Sequence, residues 1–439
     1  MSKTSSVPRN RMSRFARLGG MAGGIAGGMI AEGLRQLSRG NLPSPADLVL
    51  TPANARRVAE QLASLRGAAM KLGQLLSMDS GALLPPELAQ ILARLRADAR
   101  PMPMSQLVGA LVRTWGSDWE KGFRRFSFTP LAAASIGQVH AAVTGDGRHL
   151  ALKVQYPGIR ESIDSDVDNM ALFMRMANIL PGEIDMDGIV EETKRQLRQE
   201  ADYLVEAKYL RDYRELVSGD PEFLVPEVHD DLTTRHVLAM EYVHGEPLES
   251  LGEEGVDQAT RDRAGMLLER LMFRELFEFR TMQTDPNFAN YMYQPESGRI
   301  VLLDFGSTVT FRKSFTDKYA EISRALIDDN IDAIWRVAED IGYLHPDDSP
   351  AHASRVVDLI RVICEPICED RVYDFAASDV TVRARDAGLE LAWKSRGELR
   401  TPPPETVFLH RKLIGSFLLC GRIKARLNVQ RTGSPMSKF

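Results

Sequence analysis

The chain has 439 residues, 44% of them hydrophobic, enough for one large two-lobed domain or two ordinary ones. With 26% charged residues, a net charge of −5 and an isoelectric point near 6.0, it lacks the basic excess of a nucleic-acid-binding protein, and no nucleic-acid partner is expected. Cys364, Cys368 and Cys420 are too few for a disulfide framework and point to a reducing compartment. Cys364 and Cys368 stand four apart; a metal or redox pair is one reading, and thiols packed as small apolar groups the favoured one.

The first 31 residues contain no acid, and Lys3, Arg9, Arg11, Arg14 and Arg17 precede an apolar, Gly-rich run from Leu18 to Ala31. As a helix that run is about 21 Å long, against about 30 Å of hydrocarbon, too short to span a membrane unaided. Glu32 and Arg35 follow at once, so there is no secretory cleavage pattern. Gly20, Gly24 and Gly28 recur every four residues, as do Gly19, Gly23 and Gly27, a spacing that lets helices approach closely in or on a membrane. A flexible tether is the alternative. The basic flank favours peripheral attachment to an anionic bilayer.

A helical region is expected over residues 44–123, with starts at Ser44-Pro45 and Thr51-Pro52 and an amphipathic helix after Pro85-Pro86. β-like runs follow at Phe126 to Phe128, Gly137 to Val143 and Leu150 to Gln155, the last two joined by a turn at Thr144-Gly145-Asp146-Gly147. Helical periodicity returns from about Ile159 to Leu216. A strand pair, Glu227 to His229 and His236 to Glu241, leads into a mostly helical second half. No internal repeat is visible, and Pro402-Pro403-Pro404 is a local breaker. A small β-rich lobe followed by a larger helical one is the layout of a nucleotide-binding kinase fold.

Leu303-Asp304-Phe305-Gly306, after the apolar run Ile300 to Leu302, is the strongest local signal. Phosphoryl chemistry needs a carboxylate at a strand end to hold Mg2+ against the β- and γ-phosphates. Three residues recur by chance, but Asp285 and Asn290 lie upstream in Gln283-Thr284-Asp285-Pro286-Asn287-Phe288-Ala289-Asn290. Their separation of five is that of the kinase base and its second metal ligand. The fourteen residues from Asn290 to Asp304 suit a loop and a short hairpin, with Gly298 in its turn. Leu150-Ala151-Leu152-Lys153-Val154 matches the strand that carries the phosphate-binding lysine. An edge-strand lysine facing water is the bland reading, and the neighbouring motifs make it improbable. Lys153 needs a carboxylate to hold it, and the helix expected from about Asp187 to Leu216 offers candidates. Met240-Glu241-Tyr242-Val243 reads as the hinge, whose backbone at Glu241 and Val243 grips the adenine.

With these motifs in kinase order, the sequence resembles the UbiB/ADCK family of atypical kinases associated with ubiquinone biosynthesis, over nearly the whole chain. Ala132-Ala133-Ala134-Ser135 opens a segment, continuing Ile136-Gly137-Gln138-Val139-His140, that looks like the family's Ala-rich loop, which replaces a Gly-rich one. Lys71-Leu72-Gly73-Gln74 matches its K-x-G-Q motif and Glu200-Ala201-Asp202 its E-x-D motif. Asp285-Pro286-Asn287-Phe288-Ala289-Asn290 departs from the D-P-H-P-G-N of many bacterial members. It looks more like the subgroup with the mitochondrial coenzyme Q proteins, as does Val154-Gln155-Tyr156-Pro157-Gly158-Ile159. The resemblance implies a Glu206–Lys153 pair. Glu200 and Glu206, six apart, fall about 120° apart on a continuous helix, so two lysines are expected, Glu200 taking Lys71. Lys71 and Gln74 share one helix face and point together into the cleft.

The expected fold is therefore α+β and protein-kinase-like, with two lobes and an N-terminal helical extension. Its expected parts are a membrane-associating segment (1–43), the K-x-G-Q extension (44–125), a kinase-like N-lobe (126–242), a kinase-like C-lobe (243–430) and a flexible tail (431–439). Methyl groups at Ala132, Ala133 and Ala134 restrict φ and imply a nucleotide pose less suited to γ-phosphate transfer. The K-x-G-Q helix is expected where a protein kinase binds its peptide substrate. There is no A-P-E motif or long activation loop after Gly306, and no His-Arg before Asp285. Together these features favour an Mg-dependent ATPase or small-molecule phosphotransferase using ATP/ADP and Mg2+, with Asp285 orienting or deprotonating the attacking group. The alternatives are a protein kinase acting on biosynthetic enzymes and a non-catalytic, nucleotide-gated lipid-binding scaffold. Anionic lipids, ubiquinone precursors, biosynthetic enzymes and a second copy of the chain are the candidate partners. Only seventeen residues precede the Gly-rich run, which favours the cytoplasmic face of a bacterial inner membrane over a mitochondrial matrix location.

Overall fold

The computed structural model of the protein describes residues 101–176, 186–395 and 403–432. The Gly-rich segment, the helix expected after Pro85-Pro86, Lys71 and Gln74 lie outside the described residues. The chain divides into two compact units: one runs up to Lys208 and takes in Glu227–Tyr242, the other comprises Tyr209–Pro226 and everything from Val243 onward.

In the first unit, helix α1 (Met104–Trp115) begins directly after Pro103 and buries Leu107, Ala110 and Leu111, one stripe at i, i+3 and i+4. Strand β1 (Phe123–Phe126) starts three residues before the expected Phe126. The shift seats Phe123 and Phe126 against Trp119, at ring centroid distances of 6.0 and 5.1 Å. Strands β2 (Ala132–Ala133), β3 (Gly137–Thr144), β4 (His149–Gln155) and β6 (Val237–Glu241) complete an antiparallel sheet in the order β1-β3-β4-β6, with β2 also pairing β3. Leu150, Leu152 and Val154 of β4 and Val237, Leu238 and Ala239 of β6 are fully buried. The two strands carry most of the sheet's buried apolar side chains. Gly147, at φ +93°, closes the β3–β4 turn where it was expected.

Helix α2 (Ile159–Met176) pairs with α3 (Met186–Glu200) through Lys194–Asp168 at 2.7 Å and Arg198–Asp164 at 2.5 Å. The single helix expected from Asp187 to Leu216 is instead broken at Ala201-Asp202, and α4 (Tyr203–Leu216) starts afresh. Asp202 accepts from the Leu204 amide at 3.3 Å and pairs with Arg160 and Arg235 at 3.3 and 3.1 Å, while the Tyr203 amide donates to the Arg235 carbonyl. These tertiary partners satisfy the backbone groups that a helix break exposes. The 120° argument for Glu200 and Glu206 assumed a continuous helix, and it does not apply.

The second unit holds a sheet of β5 (Phe223–Leu224), β7 (Glu246–Pro247), β9 (Tyr291–Gln294) and β10 (Arg299–Leu302) in the order β5-β10-β9-β7. Gly298, at φ +68°, turns the β9–β10 hairpin as expected. Helix α5 (Gln258–Phe273), capped by Asp257, runs into a π-helical turn at Arg274–Phe279 and then β8 (Thr281–Gln283). Strand β8 pairs with β11 (Thr308–Thr310), Gln283 lying opposite Thr308. The remaining helices are α6 (Lys313–Ile327), α7 (Ile331–Ile341), α8 (Pro350–Cys368), α9 (Val380–Lys394) and α10 (Pro404–Arg422), followed by a short turn of helix at Val429–Thr432. A β-rich first unit and a mostly helical second one make the α+β kinase-like fold. Among the described residues no helix is long and apolar enough to cross a membrane.

Candidate active site

Lys153 lies on the strand β4, opposite Val139 of β3 and Leu238 of β6. Its Nζ stands 2.7 and 2.9 Å from the two Glu206 carboxylate oxygens, with side chains 7% and 1% exposed. Glu206 occupies the first turn of α4, where the helix dipole favours a carboxylate. Tyr203, the first residue of that helix, puts its ring centroid 5.3 Å from the ammonium. Break and pair belong together: α4 begins anew at Tyr203, and this start places Glu206 on Lys153.

The Ala-rich segment adjoins the same sheet. Ala132 and Ala133 form the exposed strand β2, and the Ala134 amide donates to the Gly137 carbonyl at 2.9 Å, a tight turn through Ser135. A Cβ on Gly137 would meet the Val154 carbonyl oxygen at 2.5 Å, so glycine is needed for that close approach. Ser135 donates to Glu200 at 3.4 Å, while the lysine expected for Glu200, Lys71, is outside the described residues. Glu241 ends β6 and accepts from the Glu227 amide, and the Tyr242 amide donates to the His149 carbonyl. Val243, half-buried, is where the chain re-enters the second unit.

In the second unit the β8–β11 pair sets the start of the Asp285 loop beside the chain that follows Asp304. The Thr284 amide and hydroxyl both donate to the Ser307 carbonyl, at 2.9 and 2.8 Å. Asn290 Nδ2 donates to the Asp285 carbonyl at 2.8 Å and reaches its carboxylate at 3.4 Å. The Leu303 amide donates to the Asn290 carbonyl, and the Gly306 amide to Asp304 Oδ1 at 2.9 Å. Phe305 is buried, its ring 4.4 Å from that of Tyr213.

Beneath the loop lies a buried polar network that the sequence reading missed. Glu275, in the π-helical turn, accepts from Tyr213 at 3.0 Å and from the Gln283 amide at 3.3 Å. Lys412 of α10 approaches Glu275 at 2.9 Å and the Tyr291 hydroxyl at 3.2 Å. Burial works against the Lys412 ammonium, but the Glu275 carboxylate beside it more than reverses this and raises its pKa. The available signal was His410-Arg411-Lys412, three basic residues between Phe408-Leu409 and Leu413-Ile414 in an otherwise apolar helix. Cys364 and Cys368, both half-buried, share α8, where desolvation pushes both thiols up, Cys368 to about 11.

A buried lysine–glutamate pair on the sheet, an Asp-x4-Asn loop and an Asp-Phe-Gly turn define an atypical kinase. Residues 94–338 match the ABC1 atypical kinase-like domain. Over 97% of the chain it is 39% identical to "Atypical kinase COQ8B, mitochondrial" of Rattus norvegicus, covering 80% of that protein. It is 35% identical to "Atypical kinase COQ8, mitochondrial" of Saccharomyces cerevisiae, over 97% of this chain and 84% of that one. Among solved structures, the complex of Rv3197 with erythromycin from Mycobacterium tuberculosis superposes with a TM-score of 0.61 at 26% identity, covering 88% of this chain and 95% of that chain. The chain belongs to the ABC1 family of atypical kinases, and within it resembles the COQ8 proteins over nearly its full length.

Proposed function

We propose that the protein is an Mg-dependent ATPase or small-molecule phosphotransferase that supports ubiquinone biosynthesis at a membrane. The buried Lys153–Glu206 pair carries this reading. An ammonium held by both carboxylate oxygens on a central, buried strand is a fixed cation, suited to the α- and β-phosphates of ATP or ADP. Among the described residues no group of three His, Cys, Asp or Glu side chains is gathered for a metal. Asp304 with the Asn290 amide oxygen is instead a sparse, hard-oxygen set, which fits Mg2+ completed by phosphates and water. Mg2+ when bound supplies charge neutralisation at the β- and γ-phosphates. Asp285, its backbone held by Asn290, orients or deprotonates the attacking group.

The exposed methyl groups of Ala132 and Ala133, in place of glycines, support hydrolysis or small-molecule transfer over a peptide acceptor. The names of the COQ8 relatives, which are mitochondrial, support the quinone pathway, and the basic, Gly-rich segment before residue 36 supports a membrane site. That site would be the inner membrane, on its cytoplasmic face in a bacterium and its matrix face in a mitochondrion. Lys71, Gln74 and Glu200 are proposed to close the peptide path. Anionic lipids, phenolic precursors, biosynthetic enzymes and a second copy are the proposed partners.

Full-length protein with Mg2+ is expected to be thermally stabilised by ATP or ADP, and Asp304→Asn to abolish the shift; an unchanged shift refutes the metal site. ATP turnover with and without anionic liposomes and phenolic precursors tests the chemistry. No turnover in any condition favours the scaffold, and labelled phosphate on a protein partner favours the protein kinase.

A further inference from the structure

Helix α10 lies under the Asp285 loop and touches it on both sides of the aspartate. The Arg411 Nε donates to the carbonyl of Thr284, the residue before Asp285. Lys412 reaches the hydroxyl of Tyr291, the residue after Asn290, at 3.2 Å, with its Nζ 5.8 Å from the Tyr291 ring centroid. One turn further on, a Cβ added to Gly415 would stand 2.0 Å from Pro286 Cγ, so helix backbone and loop proline are in direct contact. Gln283 continues the connection: it accepts from the Tyr291 hydroxyl at 3.4 Å and donates to the Asp285 carbonyl at 2.8 Å. The Asp285 carbonyl thus receives both Gln283 and Asn290.

Arg411 is 4% exposed, and among the described residues its Nη1 and Nη2 have no hydrogen-bond partner. A guanidinium in that state is costly, and a methionine or leucine of similar volume would fill the space without penalty. Unfavourable polar burial of this kind persists where a site needs the geometry it enforces. The group's one matched donor goes to the peptide that sets the direction in which Asp285 leaves β8.

We propose that Arg411, assisted by Lys412, is a positioning residue that holds the Thr284–Tyr291 loop in its working attitude from behind. The proposal rests on the phosphoryl-transfer reading for its consequence on rate, but the loop's rigidity can be measured without it. Arg411→Met removes the donor and the unmatched charge together, and Arg411→Lys restores a donor. In full-length protein, Arg411→Met is expected to raise amide hydrogen exchange in Thr284–Tyr291 at least tenfold, with little change in α5 or the first unit. Thermal stability should be kept or raised, and Arg411→Lys should return most of the protection. In turnover, Arg411→Met is expected to lower kcat roughly ten- to a hundredfold, the scale of an ångström-sized misplacement, with KM for ATP within about threefold.

Unchanged exchange in the loop, or an equal rise everywhere, overturns the proposal, as does a kcat that survives the loss of protection. If Arg411→Met does not accumulate, Arg411→Leu, which also lacks a donor, carries the same comparison. Local loosening in a protein whose wild type never turns over ATP sinks the phosphoryl-transfer reading and leaves the anchor standing.

Discussion

Lys153 and Glu206 show how a charge pair can be both useful and hazardous. Each is nearly sealed from water, so the ammonium is costly there without a facing carboxylate. Glu206→Gln removes the carboxylate that holds the Lys153 ammonium with both oxygens and is expected to destabilise the first unit by about 3 kcal/mol. The double variant Lys153→Met with Glu206→Leu removes both charges and should recover much of that loss in urea denaturation, while still giving no ADP-dependent thermal shift. A double variant as unstable as Glu206→Gln would mean that the pair's other contacts, not its charge balance, dominate.

The candidate nucleotide-site residues were legible because each sits in a short local motif. Lys153 is the one charge in an apolar strand, and Asp285, Asn290 and Asp304 are set by fixed spacings around a hairpin whose turn Gly298 marks. Arg411, Glu275 and Lys412 have no such motif, because their partners are far away in sequence. The α3–α4 break was hidden for a related reason. Helical periodicity runs through Ala201-Asp202, and what stops the helix is Arg160 and Arg235 on Asp202, partners that local propensity cannot reveal.

At the scale of elements, α5 and α10 pack with polar groups buried at their seam. Glu269 of α5 faces Cys420 of α10, whose Sγ lies 3.5 Å from its carboxylate, and Gly265 of α5 leaves room for Ala425, which would stand 2.6 Å from an added Cβ. Burial pushes the Glu269 carboxyl up to about 7, against weaker downward pulls from Ser416, Cys420 and Lys412. A folded pKa above the unfolded one means the native state binds the extra proton. The associated stability is therefore full below about pH 4.5 and is lost as pH rises through about 7. Glu269→Gln keeps the shape and removes the titration, so its unfolding free energy should vary less than wild type's between pH 5 and 8. Parallel pH profiles for the two proteins would show that Glu269 does not titrate in this window. Such seams also show where sequence reading stops: Glu269 looks like one more charge on a helix until the opposing element is in place.

At the scale of the whole molecule, the family match runs through the Asp285 and Asp304 motifs of the second unit and the likeness to the COQ8 proteins extends over 97% of the chain. The segment at 1–36 carries five basic residues ahead of its Gly-rich run, each worth about 1 kcal/mol at an anionic surface when it can approach. Removal of residues 1–36 is expected to lower co-sedimentation with anionic liposomes at least tenfold at low salt, without changing the ADP-dependent thermal shift. Equal sedimentation would place the lipid-binding surface elsewhere on the protein.

The anchoring of the Asp285 loop by α10 also has a consequence for the order of assembly. Arg411 meets Thr284 across 127 residues of chain, and Lys412 meets Tyr291 across 121. On a ribosome adding about 5–20 residues per second, the aspartate emerges well before the helix that steadies it. Contacts this distant in sequence come late in folding. A nascent or C-terminally clipped chain would carry every kinase motif and still lack the contacts that α10 makes with the Asp285 loop.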